Sequence, residues 1–447
     1  MAHKVKRSEV VTEWRGTIES VSQYGIGVGT IVLENDGRVL RRPIFIPYTA
    51  PGDEVEATIL EQRGKYVFGE LKALLKPSDN RAVPKCPHYG VCGGCNLLHV
   101  SYETQLLEKA KHLTFLFDRQ RLPVPKELRV LPSRERHHYR ARSRLAVSFK
   151  DGKVSAGFRK LKSKEIIPIK ECLIVASEIV GLAKALNAHD ANAVLNVPDC
   201  ELEATIVVDE RRKTRLLIPL DGIAARDREK VIAFFDALPS RDASIAAINF
   251  LADGKITPPP VDGASYSAAG FSFSFQPWTF IQSNLSTNPL LIETVLGFVT
   301  GDSVVDLYAG IGNLSLPIAR KLTAGTVIAV EGDESSVLLG KENCQRAKVS
   351  NVTFVYSPVE EYLAQNPLAA STVVLDPPRT GCTPGVLDAL VKAAVPRIVY
   401  VSCNPVTLAD DLAKLKPRYE LKELVGIDMF PDISHVEAVA LLEKHER

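Results

Sequence analysis

The chain has 447 residues, 45% of them apolar, and its 55 lysines and arginines stand against 53 aspartates and glutamates for a net charge of +2. Such a balance describes a soluble protein of about three domains with room for sizeable cores. No apolar run is long enough for a membrane helix, and with no signal peptide in view a cytoplasmic protein is expected.

Residues 8–75 alternate short β-like runs with Gly, Asn-Asp-Gly and Pro-Gly turns: Trp14–Ile18, Gly29–Leu33, Arg42–Ile46, Asp53–Ile59 and Tyr66–Gly69. That rhythm predicts a small five-stranded barrel of the OB type. Tyr24, Phe45, Tyr48, Tyr66 and Phe68 are its candidate stacking aromatics, since unpaired bases stack on such rings.

A central α/β domain is expected over residues 76–265. It opens with Cys86-Pro-His-Tyr-Gly-Val-Cys92-Gly-Gly-Cys95, three thiols in one loop, and Cys172 could complete a set of four. Four thiolates suit a [4Fe-4S] cluster. A four-cysteine zinc site is the rival, although it usually shows two short paired spacings. A thioredoxin-like pair would need a strand-to-helix turn, which Gly93-Gly94 does not suggest. Disulfides are disfavoured in a reducing compartment.

Between Lys126 and Lys170 basic residues heavily outnumber acidic ones. A strand through His138, Arg140, Arg142 and Arg144 would put all four on one face. Such a row is a candidate track for RNA phosphates; the plainer alternative is a sheet edge protected by charge. Residues 180–265 carry further β-like runs and a helix-like Arg226–Ala237 without evident chemistry, and Ile256-Thr-Pro-Pro-Pro260 reads as a linker.

Residues 266–447 read as a Rossmann-like α/β domain. A β-branched strand from Asp302 leads into a loop with Gly310 and Gly312, and the next strand, Thr326–Val330, ends in Glu331. Glycines there admit a close ligand, and an acid at the second strand's tip is where ribose hydroxyls are held. Lacking the full G-x-G-x-x-G spacing, the loop suits S-adenosylmethionine better than a dinucleotide. Asp376 and Cys403 end two further strand-like runs, at the carboxyl edge where ligands bind in such sheets.

The segments Phe280-Ile-Gln-Ser-Asn284, Asp306-Leu-Tyr-Ala-Gly-Ile-Gly-Asn313, Asp376-Pro-Pro-Arg-Thr-Gly381, Ser402-Cys-Asn-Pro405 and His435-Val-Glu437 resemble, in order and spacing, the RNA uracil-5-methyltransferase family. The resemblance covers nearly the whole chain: the amino-terminal part is similar to a TRAM domain, and the cysteines are similar to the iron–sulfur motif of the ribosomal-RNA branch. It implies that Gln282, Tyr308, Asn313 and Glu331 line an S-adenosylmethionine pocket, that Asp376 faces donor and uracil edge, and that Glu437 is a general base. Arg379 joins Arg140, Arg142 and Arg144 as an RNA-binding candidate.

Carbon 5 of uracil is too weak a nucleophile to accept a methyl group directly. Addition of a thiolate to carbon 6 turns the ring into an enolate with carbon 5 activated. Cys403 is the candidate nucleophile, and the carbon 5 proton must then leave to a base before the thiolate can be expelled. A buried inert cysteine is the plain alternative for Cys403, a solvated strand-end carboxylate for Glu437, and a turn or cap residue for Asp376.

Amino-group methyltransferases carry an aromatic where this chain has Arg379, and cytosine-5 enzymes carry a cysteine directly after the proline pair's position; Cys382 lies farther on and reads as a bystander. Cys200 and Cys344 read as core. The expectation is therefore methylation of a uridine in RNA, in 23S rRNA before tRNA position 54. The competing classes are a non-catalytic RNA-binding or chaperone protein and an iron–sulfur redox protein.

Overall fold

Short strands that are mostly apolar can be buried on both faces, and parallel strands covered by crossover helices have that character. The segments Ser303–Leu307, Thr372–Leu375 and Arg397–Ser402 fit it, with nearly every residue buried. A computed structural model of the chain describes residues 12–35, 38–124, 128–188, 197–240, 242–259 and 263–445. Residues 8–11, the Asp36-Gly37 turn, Lys126 and Pro260, all used in the sequence reading, lie outside the described residues.

The chain divides into two units: residues 1–112 with 432–435, and residues 113–431 with 436–447. In the larger unit an eight-stranded sheet runs in the order Val352–Tyr356, Thr326–Glu331, Ser303–Leu307, Thr372–Leu375, Arg397–Ser402, Glu437–Lys444, Tyr419–Ile427, Val130–Leu131. The first five are mutually parallel. Glu437–Lys444 is antiparallel to both its neighbours. The strand order reverses between Ser303–Leu307 and Thr372–Leu375, which in open α/β sheets marks the ligand crevice.

Helices Asn288–Phe298, Ser315–Lys321, Glu334–Ala347, Val359–Gln365, Pro384–Ala393 and Pro405–Leu415 are interspersed with these strands. Their ends follow local chemistry. Asp333 accepts the Ser336 N–H as an N-cap, and Asn404 accepts the Val406 N–H just before Pro405 opens its helix. A hairpin of Ala264–Ala268 and Phe271–Phe275 adds Tyr266, Phe271, Phe273 and Phe275 to the main core.

The same unit holds a seven-stranded sheet in the order Ile166–Pro168, Lys153–Arg159, Arg142–Lys150, Cys200–Val208, Thr214–Pro219, Ile245–Ala252, Lys255–Thr257. One alternative and two expectations change here. Arg142–Lys150 lies inside the sheet between two antiparallel partners, so it is not a protected edge. Its run of one-face alternation also stops short of His138, whose φ of 52° breaks the extended backbone. The expected linker is partly strand as well, because Lys255–Thr257 pairs with the end of Ile245–Ala252.

In the smaller unit the expected five strands are six: Glu13–Thr17, Ser20–Val21, Gly27–Asn35, Arg38–Ile46, Glu54–Arg63 and Tyr66–Lys76. Ser20–Val21 is too short to read from alternation. A Cβ at Gly29 would lie 2.6 Å from the Trp14 ring and 3.1 Å from Thr17 O, so the first and third strands approach closely and the sheet rolls up. Trp14, Ile18, Ile31, Ile44, Ile46, Val55 and Val67 fill it. The aromatics sort themselves. Phe45 stacks on Phe68 and meets Tyr66 edge-on at the surface, whereas Tyr48 packs against Tyr89 and the buried His99.

Candidate active site

The parallel strands of the large sheet all end at one edge, so the residue after each strand is delivered there. Tyr308 follows Leu307, Glu331 closes its strand, Asp376 follows Leu375 and Cys403 follows Ser402. Because the last strand runs antiparallel, its first residue arrives at the same edge. Ser402 pairs with Ala438, which makes Cys403 and Glu437 the next two opposed positions.

A cleft open to solvent sits beside the order reversal, with Phe280, Gln282, Tyr308, Gly310, Asn313 and Asp376 among its lining residues. Its walls are tied by hydrogen bonds. Both Glu331 carboxylate oxygens are engaged, Oε2 accepting the Gly310 N–H and Oε1 the Asp333 N–H, each at 2.8 Å. Asn313 Oδ1 accepts from the Tyr266 hydroxyl (2.9 Å) and Asn288 Nδ2 (2.7 Å). Gly310 has a φ of 54° with open space where a Cβ would stand, whereas a Cβ at Gly312 would strike Leu316 and Phe354. The first glycine therefore keeps the cleft open and the second serves packing. Tyr308 is also left-handed, at φ 65°, which no glycine pattern announces.

The opposite wall is short of partners. Gln282 Nε2 donates to Asp376 Oδ2 at 3.3 Å. Asp306, 1% exposed, has Oδ2 bonded by the Ser315 hydroxyl at 2.5 Å while Oδ1 is buried without a hydrogen bond. Glu437 is 2% exposed, and its Oε1 likewise has none. Burial, and then the neighbouring Glu331, pushes the Asp306 carboxyl up to about 7. Burial and the Asp306 charge do the same to Asp376. Burial and Asp376 raise Glu437 well above the carboxylate range against the opposing pull of Arg379. The Cys403 thiol is pushed up to about 11 by burial and Glu437, and the Arg379 side chain, within hydrogen-bonding reach, draws it down. A half-buried thiol, an unpaired buried carboxylate opposite it and a cleft alongside can bind, add to and deprotonate a planar ring.

The other candidates are scattered. Arg144 is exposed and Arg142 half-buried, its guanidinium donating to Thr279 O. Arg140 is also half-buried, with its Nε hidden from solvent and without a hydrogen bond. Cys86, Cys92 and Cys95 share one loop of the smaller unit, pinned through Tyr89, whose hydroxyl meets His99 Nδ1 at 2.5 Å. Cys172 belongs to the larger unit. Among the described residues no group of three or more His, Cys, Asp or Glu side chains is arranged to hold a metal ion. Cys344 and Cys382 are buried, and Cys200 is half-buried.

Sequence reasoning passed over Asp306 and Tyr266. Asp306 is the last residue but one of the strand before the glycine loop and could have been read from that place. Tyr266 reaches the cleft from a hairpin about forty residues away, and nothing local marks it.

A family model described as tRNA (Uracil-5-)-methyltransferase matches residues 266–445, and one described as TRAM domain matches residues 7–72. The chain is 32% identical to 23S rRNA (uracil(1939)-C(5))-methyltransferase RlmD of Enterobacter sp. (strain 638), over 98% of each chain. It is 33% identical to the protein of that name from Aeromonas hydrophila subsp. hydrophila, over 96% of each. Among solved structures, the tRNA (uracil-54, C5)-methyltransferase of Pyrococcus abyssi in complex with S-adenosyl-L-homocysteine is similar in fold. Its TM-score is 0.73 at 24% identity, over 96% of this chain and all of that one. No described helix is long and apolar enough to cross a membrane.

Proposed function

The chain belongs to the RNA uracil-5-methyltransferase family, and we propose that it methylates carbon 5 of a uridine in 23S rRNA, with Cys403 as nucleophile and Glu437 as base. The observation that carries this reading is the register that sets Cys403 and Glu437 opposite each other beside the cleft. Identity of about a third over nearly the full length to rRNA enzymes favours rRNA over tRNA. The cytoplasm is its place of action.

S-adenosylmethionine supplies the methyl group and, until transfer, a positive charge on sulfur. Gln282, Tyr308, Asn313, Glu331 and Asp376 are the residues that would hold it. The Cys403 thiolate adds to carbon 6, and the ring's electrons move to the carbonyl oxygen as an enolate. Carbon 5 takes the methyl group. Glu437 as carboxylate then removes the carbon 5 proton, and the electrons of that bond expel the thiolate and restore the ring. A raised affinity for protons makes Glu437 a stronger base once ionised, and Arg379 opposes that rise. The target base must leave its stack to reach Cys403, at a cost of a few kcal/mol. Phosphate contacts from Arg144, with Arg140, Arg142 and Arg379, are proposed to offset it.

Iron–sulfur clusters take four thiolates, and the sequence motif of Cys86, Cys92 and Cys95 with the later Cys172 supplies that number, so these four are proposed as [4Fe-4S] ligands. The cluster is proposed as a structural staple, because nothing in the methylation requires an electron. Anaerobically purified protein should then be brown with about four irons and four sulfides per chain; about one zinc and no sulfide would assign the thiols to zinc.

The decisive experiment uses RNA carrying 5-fluorouridine at the target. Fluorine cannot leave as a proton, so wild-type enzyme should be trapped as a covalent adduct, and Cys403→Ala should bind RNA and donor without forming one. Methylation by the alanine variant above a trace would overturn the assignment.

A further inference from the structure

The loop Asp376–Cys382 carries Arg379 past Cys403, and it is gripped from the segment that follows Cys403. Asn404 Nδ2 donates to Arg379 O at 2.9 Å, and the Thr407 hydroxyl is shared between that oxygen, at 3.3 Å, and Asn404 O, at 3.0 Å. Asp411 Oδ2, on the inner face of the helix Pro405–Leu415, accepts the Cys382 N–H at 2.8 Å. That same oxygen accepts the Tyr400 hydroxyl at 2.7 Å, so the carboxylate is held from the strand that ends at Cys403. Asp411 is only 4% exposed. The fit is close: Gly381 has a φ of 77°, and a Cβ there would lie 2.6 Å from Asp411 Oδ2.

A buried carboxylate with one oxygen bonded to a loop amide and to a strand hydroxyl fixes the two elements relative to each other. We propose that Asp411 is a positioning residue for methyl transfer: with Asn404 and Thr407 it locks the Pro-Pro-Arg loop to the nucleophile's strand and helix, so that Arg379 is kept near Cys403. Among the described residues the charged groups facing the Cys403 sulfur are Arg379, Glu437 and Asp376, and Arg379 is the cation of the three. Moving it away leaves the thiolate facing two acids. The proposal rests on Cys403 as the nucleophile, but it concerns the thiol's reactivity, which is measured without RNA.

The test is the pH profile of iodoacetamide alkylation at Cys403, followed by mass spectrometry of its peptide in the full-length protein. Arg379→Ala and Asp411→Ala should each alkylate about tenfold more slowly at pH 8, as an upward shift of about one pH unit requires. The double variant should be no slower than Arg379→Ala, since both act through one contact. Asp411→Asn keeps an accepting oxygen and should recover most of the rate, and donor affinity should be unchanged throughout. An Asp411→Ala profile that coincides with wild type, or losses that add in the double variant, overturns the proposal. Should Asp411→Ala not fold, Thr407→Val decides: about threefold slower alkylation supports the lock, and an unchanged rate overturns it. If Cys403→Ala still methylates RNA while these shifts are seen, the nucleophile assignment falls and the lock stands.

Discussion

The two walls of the cleft are built on opposite terms. On the Glu331 side the polar groups are matched: two backbone N–H groups meet one carboxylate, and Tyr266 and Asn288 converge on Asn313. On the Asp376 side, Asp306 and Glu437 each keep a buried oxygen without a hydrogen bond; burial raises the proton affinity of all three acids, and Asp306 adds to that of Asp376 and Asp376 to that of Glu437. The first wall is rigid and prepared to bind. The second holds its charge at a cost in stability, which is where groups that must gain and lose protons are expected.

That contrast is broken most severely at Cys403. Cys403→Ala should lower turnover on the order of ten-thousandfold or more while leaving donor affinity intact; single-turnover kinetics and donor titration measure the two. Glu437→Gln should cost on the order of a hundredfold to ten-thousandfold. Its mark is qualitative too, since a methylated covalent complex should accumulate on ordinary RNA and be visible as a gel-shifted band. Normal turnover without adduct would move the base to another group.

On the matched wall the losses should be in binding. Glu331→Gln replaces one of two accepting oxygens with an NH₂, so either the Gly310 or the Asp333 amide loses its partner. Donor affinity by calorimetry should fall about tenfold to a hundredfold, with the rate at saturation little changed.

The unmatched wall should show itself in stability. Folded Asp306 holds its proton up to about 7, whereas the unfolded chain releases it near 3.8. Between those values the folded state binds more protons, so stability falls as pH rises through that window and the loss is complete above it. Asp306→Asn should therefore be more stable than wild type at pH 8 by about 1–3 kcal/mol, read as a higher unfolding temperature, with no advantage at pH 4.

The smallest effect belongs to the seven-stranded sheet. Arg144→Ala should flatten the salt dependence of RNA affinity by about 0.7–0.9 of a unit of log–log slope, measured by filter binding at several salt concentrations. Arg142→Ala should change the slope less, because its guanidinium is already spent on Thr279 O.

Much of this was legible in one dimension. Strand ends announce themselves where a β-branched run meets Gly, Asp-Pro-Pro or Ser-Cys-Asn-Pro, so Gly310, Glu331, Asp376 and Cys403 could be assigned to one sheet edge from the chain alone. Local pattern encodes local backbone, and parallel strands deliver their ends together. Three things were decided by contacts between segments distant in sequence. The antiparallel last strand sets Glu437 opposite Cys403. Neighbours on both sides make Arg142–Lys150 a sheet interior, which removes the protected-edge alternative. Burial beside other acids gives Asp306 and Glu437 their raised proton affinity. Register, neighbour count and dielectric surroundings are properties of packing, and no window of sequence contains the partner that sets them.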